Sequence, residues 1–150
     1  MALITRVSRL LRADVHAVLD RLEEPDVLLQ QAIRDMEEVV AEQRNQVNLA
    51  RWRKYLPKRP VDSLATLLAD DMRYKNQASA NDAYGEGWAL TYFLIKTRRK
   101  EYVDYLKLLS EGRPLAERTK RERVEMFENA FDSTLADLDR AFVTYMRRVR

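Results

Sequence analysis

From Leu3 the apolar residues fall at 3, 4, 7, 10, 11, 15, 18, 19 and 22, and at about 100° per residue they gather on one side of a helix. Arg6, Arg9 and Arg12 gather on the opposite side. Such a helix has two uses. Its aliphatic face can enter a membrane interface while the arginines sit among anionic head groups. Alternatively that face covers a protein core or a second copy of itself. Leu3, Ile4, Val7, Leu10 and Leu11, with Arg6, Arg9 and Arg12, are the candidate membrane contacts. His16 falls on the polar side with no second ligand type one turn away and reads as a solvated residue.

Pro25, after Glu23 and Glu24, ends this helix and suits the first turn of the next. The second helix is expected from Asp26 to about Ala50. Its apolar residues Leu29, Ile33, Met36, Val40 and Val47 keep a spacing of three to four with one weak step near Gln43. A stripe that long and narrow is the pattern of a coiled-coil arm and needs a partner. Leu29, Ile33, Met36 and Val40 are therefore the candidate self-association residues, in a homo-oligomer formed through residues 26–50.

Beyond residue 60, Ser63 can cap a short helix that carries Leu64, Leu67 and Leu68 on one face. The polar run Met72 to Asn81 reads as a loop. Ala83 to Lys96 is apolar nearly all round, the pattern of a helix in the middle of a domain, with Tyr84, Trp88, Tyr92 and Ile95 as one ridge. A helix with Tyr102, Tyr105, Leu106 and Leu109 inside follows, ended by Gly112 as a left-handed cap with Pro114 just beyond. Thr119 can start another, with Val124, Phe127 and Phe131 inside, and Ser133 or Thr134 can start the last, where Leu135, Leu138, Phe142, Tyr145 and Val149 repeat by three and four. The prediction is an all-α chain: a long N-terminal helical arm, made of an amphipathic leader and a coiled-coil-like helix, joined to a bundle of about five helices.

Composition sharpens the division. Residues 1–50 contain no aromatic side chain, no Lys and no Gly, and carry six basic against nine acidic residues. Residues 51–150 hold all 13 aromatics and carry 21 basic against 15 acidic residues. The change falls at Arg51 to Pro60, RWRKYLPKRP, so the expected organisation is an arm over 1–50, a basic Pro-containing linker over 51–60 and a helical domain over 61–150. The aromatics place the core in the second piece. The linker is expected to be solvated and is assigned no chemistry. Arg147, Arg148 and Arg150 at the chain end could act as an electrostatic tail, although cations are favoured at a helix C-terminus in any case.

The absence of Cys and the single His exclude thiolate metal sites, Cys nucleophiles, a His-rich zinc site and a Ser-His-Asp triad within one chain. No phosphate-cradling glycine loop and no hydrolase elbow occurs. No cofactor or metal is expected. The interleaving of acidic with basic residues argues against specific nucleic-acid binding despite a pI near 9.2. No stretch is apolar enough to span a bilayer, and the expected location is cytoplasmic, peripheral on the inner membrane.

Two resemblances add to this reading. The opening, with its amphipathic leader, its acidic residue beside Pro25 and the run Leu28 to Val40 holding Gln31, Ala32, Ile33, Asp35 and Met36, resembles the start of the phage shock protein A and vesicle-inducing protein family. That resemblance implies binding to stressed or anionic membrane through the leader and self-assembly through a helical hairpin. It fades after about residue 50.

Residues 61–150 are similar to the C-terminal helical part of a gluzincin-like, peptidase-MA-like family. The similarity lies in the runs YGEGWALTYFLI, YVDYLKLLSEGRPL and FENAFDSTLADLDRAFVTYMRRV. The H-E-x-x-H that a gluzincin needs for zinc is absent, so peptidase activity is not expected. Glu86 is taken as a carboxylate near a helix N-terminus. The expected function is a non-enzymatic peripheral membrane-binding or assembly protein. The alternatives are an accessory or remnant domain of a gluzincin-like peptidase and a helical interaction module.

Overall fold

The computed structural model describes residues 30, 31, 34, 35, 38 and 45–150. The candidate membrane contacts, from Leu3 to Arg12, and the candidate self-association residues Leu29, Ile33, Met36 and Val40 lie outside the described residues. Within residues 30–38 the described positions are helical, and Gln31 donates to Asp35 one turn away at 2.8 Å.

Seven α-helices follow: α1 (Asn45–Tyr55), α2 (Ser63–Ala69), α3 (Met72–Lys75), α4 (Gln77–Thr97), α5 (Arg99–Glu111), α6 (Lys120–Phe131) and α7 (Leu135–Met146). Short 3₁₀ turns at Leu56–Lys58 and Leu115–Glu117 complete the chain, and no strand occurs among the described residues. The chain is all-α, as its periodicity predicts.

Helix α4 is the axis of the bundle. Its residues Ala83, Gly85 to Thr91, Phe93 and Leu94 are all buried, and α1, α2, α3, α5 and α7 pack around it. The closest approach is at Gly85, where an added Cβ would stand 3.0 Å from Arg51 Cβ and 3.3 Å from the Trp52 backbone nitrogen. Glycine there lets the backbones of α1 and α4 meet. On the far side α6 bridges α2 and α5. Aromatic rings fill two centres. Trp52, Phe93, Phe142 and Tyr145 join α1, α4 and α7, with Trp52 and Phe142 4.9 Å apart. Tyr105, Phe127 and Phe131 join α5 to α6.

The segment expected to be a solvated linker is folded. Residues 51–55 are the second half of α1, Trp52 is fully buried, and Tyr55 is 6% exposed. The basic residues that suggested solvation occupy only one side of that helix. Arg51, Arg53 and Lys54 are exposed, whereas Leu49, Trp52 and Tyr55 face the core.

Three local expectations also change. Residues 72–81 are α3 and the first turn of α4 rather than a loop. There Asn76, a loop signal by type, is an N-cap whose side chain accepts from Ala78 N. Ser63 does not cap α2 but turns its hydroxyl into the core. Gly112 is extended at φ −99°, and the left-handed residue is Asp132, φ 45°, which closes α6. Thr119 and Thr134 do cap their helices, Thr119 in a full capping box with Glu122. Val124 is only half-buried, and Arg123 lies deeper.

Candidate functional site

The most polar place in the core lies at the seam. After α1 the chain passes through the 3₁₀ turn that holds Pro57, and Arg59, extended as a residue before proline favours, turns inward ahead of Pro60. Its Nε donates to Glu86 Oε1 at 2.7 Å, and its two terminal nitrogens grip the Asp139 carboxylate of α7 side by side. Arg73 of α3 approaches from the other side. It donates to Glu86 Oε2 at 2.9 Å, to the Tyr55 hydroxyl at 3.1 Å and to the Ser63 carbonyl at 2.8 Å.

Ser63 Oγ donates to Glu86 Oε2 at 2.7 Å, and the Tyr55 hydroxyl stands 2.7 Å from Ser63 Oγ. The serine proton is spent on the carboxylate, so tyrosine is the donor in that last bond and accepts from Arg73. The Arg59 guanidinium also lies over Trp52 and Phe142, 5.8 and 5.6 Å from their ring centres. Burial pulls the Arg59 pKa down, but hydrogen bonds and attraction from Asp139 and Glu86 outweigh it, leaving it above the ordinary arginine value.

Glu86 is thus neither near a helix N-terminus nor solvated. It sits mid-helix in α4, fully buried, under two guanidiniums and a hydroxyl. Two carboxylates balance two guanidiniums, and the Glu86 oxygens are occupied by donors. This arrangement ties α2, α3, α4, α7 and the end of α1 together. It offers Glu86 no route to solvent as a general base.

Two further arginines act similarly. Arg123 of α6 is buried, chelates Asp71 at 3.0 and 3.3 Å and donates to the Leu115 carbonyl. Arg98, between α4 and α5, donates to the Phe131 carbonyl at 2.6 Å. No group of three His, Cys, Asp or Glu side chains able to hold a metal occurs among the described residues.

Beside the network a groove of about 600 Å³ opens to the surface between residues 56–65 and α7. Leu56, Leu135 and Val143 contribute half-buried apolar surface, Val61 is 99% exposed, and Arg140 and Arg147 stand along the α7 side. Arg53 of α1 donates to the Val149 carbonyl at 2.8 Å, fastening the chain end against the end of α1. No described helix is long and apolar enough to cross a membrane.

Fold and site together define a helical bundle whose polar core is a structural ion network. The chain belongs to a family described as a protein of unknown function, DUF1570, whose model matches residues 7–116. The match runs from the expected arm, across residues 51–60, into the bundle. Among curated proteins, a phage shock protein A homolog of Deinococcus radiodurans is 43% identical over 47 residues, 31% of this chain. The matched part is 21% of that relative's own length. No solved structure matches the chain.

Proposed function

We propose that the chain is a non-enzymatic, membrane-associated helical protein that contacts anionic lipid through an amphipathic leader and assembles with its own copies through residues 26–50. The observation that carries this reading is the 47-residue similarity to a phage shock protein A homolog. Leu3, Ile4, Val7, Leu10 and Leu11 supply the apolar face, and Arg6, Arg9 and Arg12 the face for head groups. The bundle gives the arm a rigid root, because α1 is held by Trp52, Tyr55 and the close approach at Gly85. An accessory role beside a gluzincin-like peptidase rests on the sequence resemblance of residues 61–150 alone.

Co-sedimentation with anionic vesicles tests the membrane reading. The triple variant Leu3→Glu/Val7→Glu/Leu11→Glu should lose most of the binding, and equal binding by variant and wild type would sink it. Sedimentation analysis tests assembly: Ile33→Glu/Met36→Glu should yield monomer where the wild type associates, and a wild type that stays monomeric at high concentration removes the assembly role. Stoichiometric zinc with peptide cleavage by the purified chain would overturn the non-enzymatic reading.

A further inference from the structure

We infer that the bundle carries a second contact surface for an anionic membrane, separate from the leader, where the end of α1 and the end of the chain come together. This deepens the membrane reading above and rests on it for the identity of the partner. The Arg53 hydrogen bond to the Val149 carbonyl sets Arg53, with Lys54 next to it in sequence, against a segment more than 90 positions away that carries Arg147, Arg148 and Arg150. All five are exposed.

Their charge is not spent inside the protein. Arg59, Arg73, Arg98, Lys100, Arg113, Arg121 and Arg123 each have a carboxylate partner. None of the five surface cations has one among the described residues. The carbonyl end of α7 favours nearby cations, but a helix terminus carries only about half a negative charge. It cannot account for three arginines with Arg53 and Lys54 beside them. Arg140, one face of α7 further back, meets Asp137 at 3.4 Å, with both side chains largely exposed. Asp62 is an exposed carboxylate in the adjoining groove and reduces the local excess by one charge.

The groove supplies the second half of the argument. Arg147 and Arg140 border the same groove as Val61 and Pro60. Val61 is a branched aliphatic side chain at 99% exposure. A cationic rim beside a projecting apolar residue and an apolar floor matches the head-group boundary of a bilayer, phosphate outside and hydrocarbon beneath. A single-stranded nucleic acid would call for aromatic stacking platforms, but Trp52 and Tyr55, beside Arg53 and Lys54, are buried, and Tyr145, the aromatic nearest Arg147 and Arg148, is half-buried against Tyr92 and Phe93.

The test uses the full chain and vesicles of phosphatidylcholine with and without phosphatidylglycerol, at low and physiological salt. Arg147→Ala/Arg148→Ala/Arg150→Ala is made in the wild type and in the Leu3→Glu/Val7→Glu/Leu11→Glu background, and Val61→Ser alone. Each arginine near an anionic surface contributes about fivefold. The triple alanine variant should therefore bind anionic vesicles on the order of 100-fold more weakly at low salt in both backgrounds, with a smaller loss at physiological salt. Val61→Ser should weaken binding about fivefold at low and physiological salt alike.

Circular dichroism melts should be unchanged, since the three arginines are exposed. Undiminished binding of the alanine variant in both backgrounds overturns this surface and leaves the leader reading standing. Undiminished binding of the leader variant sinks the leader reading and leaves this surface standing. Capture of duplex DNA that is lost in the alanine variant, with no vesicle binding by the wild type, overturns the membrane as partner. No effect of Val61→Ser overturns the apolar contact.

Discussion

Glu86 shows what a single buried charge commits a small bundle to. Replacing a buried ion cluster by well-packed apolar groups can be neutral, but removing one member strands the others. Glu86→Ala would leave Arg59 and Arg73 facing each other across an empty centre, and should cost about 3–5 kcal/mol in urea unfolding. Two buried tyrosines predict a pH effect at the same scale. Burial raises Tyr102 to about 12 and carries Tyr105 higher still. Below pH ~10 both are neutral in folded and unfolded chains, and the stability they allow is fully present. As pH rises from about 10 towards 12 the unfolded chain releases protons that the folded one keeps, so stability falls by about 1.4 kcal/mol per pH unit for each group. Alkaline unfolding should be visibly less steep in Tyr102→Phe/Tyr105→Phe. The burial of Tyr102 and Tyr105 was legible from the spacing they share with Leu106 and Leu109, whereas the roles of Glu86 and Arg59 were not. A glutamate between two glycines, and an arginine between two prolines, look like surface and linker until the fold places them 2.7 Å apart.

Among the elements, helices announced by both an apolar stripe and a cap were the legible ones. Thr119 with Glu122, and Thr134, start α6 and α7 where the pattern puts them. Residues 72–81 were misread because Asn and Ser favour turns by type, while the packing of Tyr74 and the Asn76 cap decide the matter in the fold. Asn76→Ala should destabilise by about 1 kcal/mol in a thermal melt, the usual cost of losing an N-cap. Two glycine substitutions should differ in cost. At Gly85 the added methyl meets the Arg51 Cβ and the Trp52 backbone, which cannot step aside, so Gly85→Ala should lose about 1–3 kcal/mol despite its better helix propensity. At Gly112 it meets the tip of Arg118, which can swing away, and the Leu108 carbonyl oxygen at 3.3 Å, and φ is negative, so Gly112→Ala should cost less than Gly85→Ala, about 0–1 kcal/mol. The left-handed Asp132 that ends α6 had no sequence signal stronger than its residue type.

For the whole molecule, the change in composition at residues 51–60 is real, but the fold does not divide there. Leu49, Trp52 and Tyr55 belong to the same core as Phe93 and Phe142. A fragment of residues 61–150 should therefore lack cooperative unfolding in calorimetry, whereas residues 45–150 should retain it. Losing one buried Trp alone costs about 3–5 kcal/mol, against a total stability of about 5–15 kcal/mol. The gradient of aromatics located the core, but the edge was set about ten residues late, because Arg51, Arg53 and Lys54 on the outer face of α1 mask the inward-facing Leu49, Trp52 and Tyr55. The reach of Arg59 to Asp139 also orders events on the ribosome. Those partners are 80 positions apart in the chain, and at about 5–20 residues per second the second is made roughly 4–16 s after the first. Until then α1 is covered by α4 and, at Tyr55, by Ser63 and Arg73, and one side of Trp52 waits for Phe142 to emerge. A nascent chain arrested before α7 should present that side to a holding chaperone, and release should coincide with the arrival of the last helix.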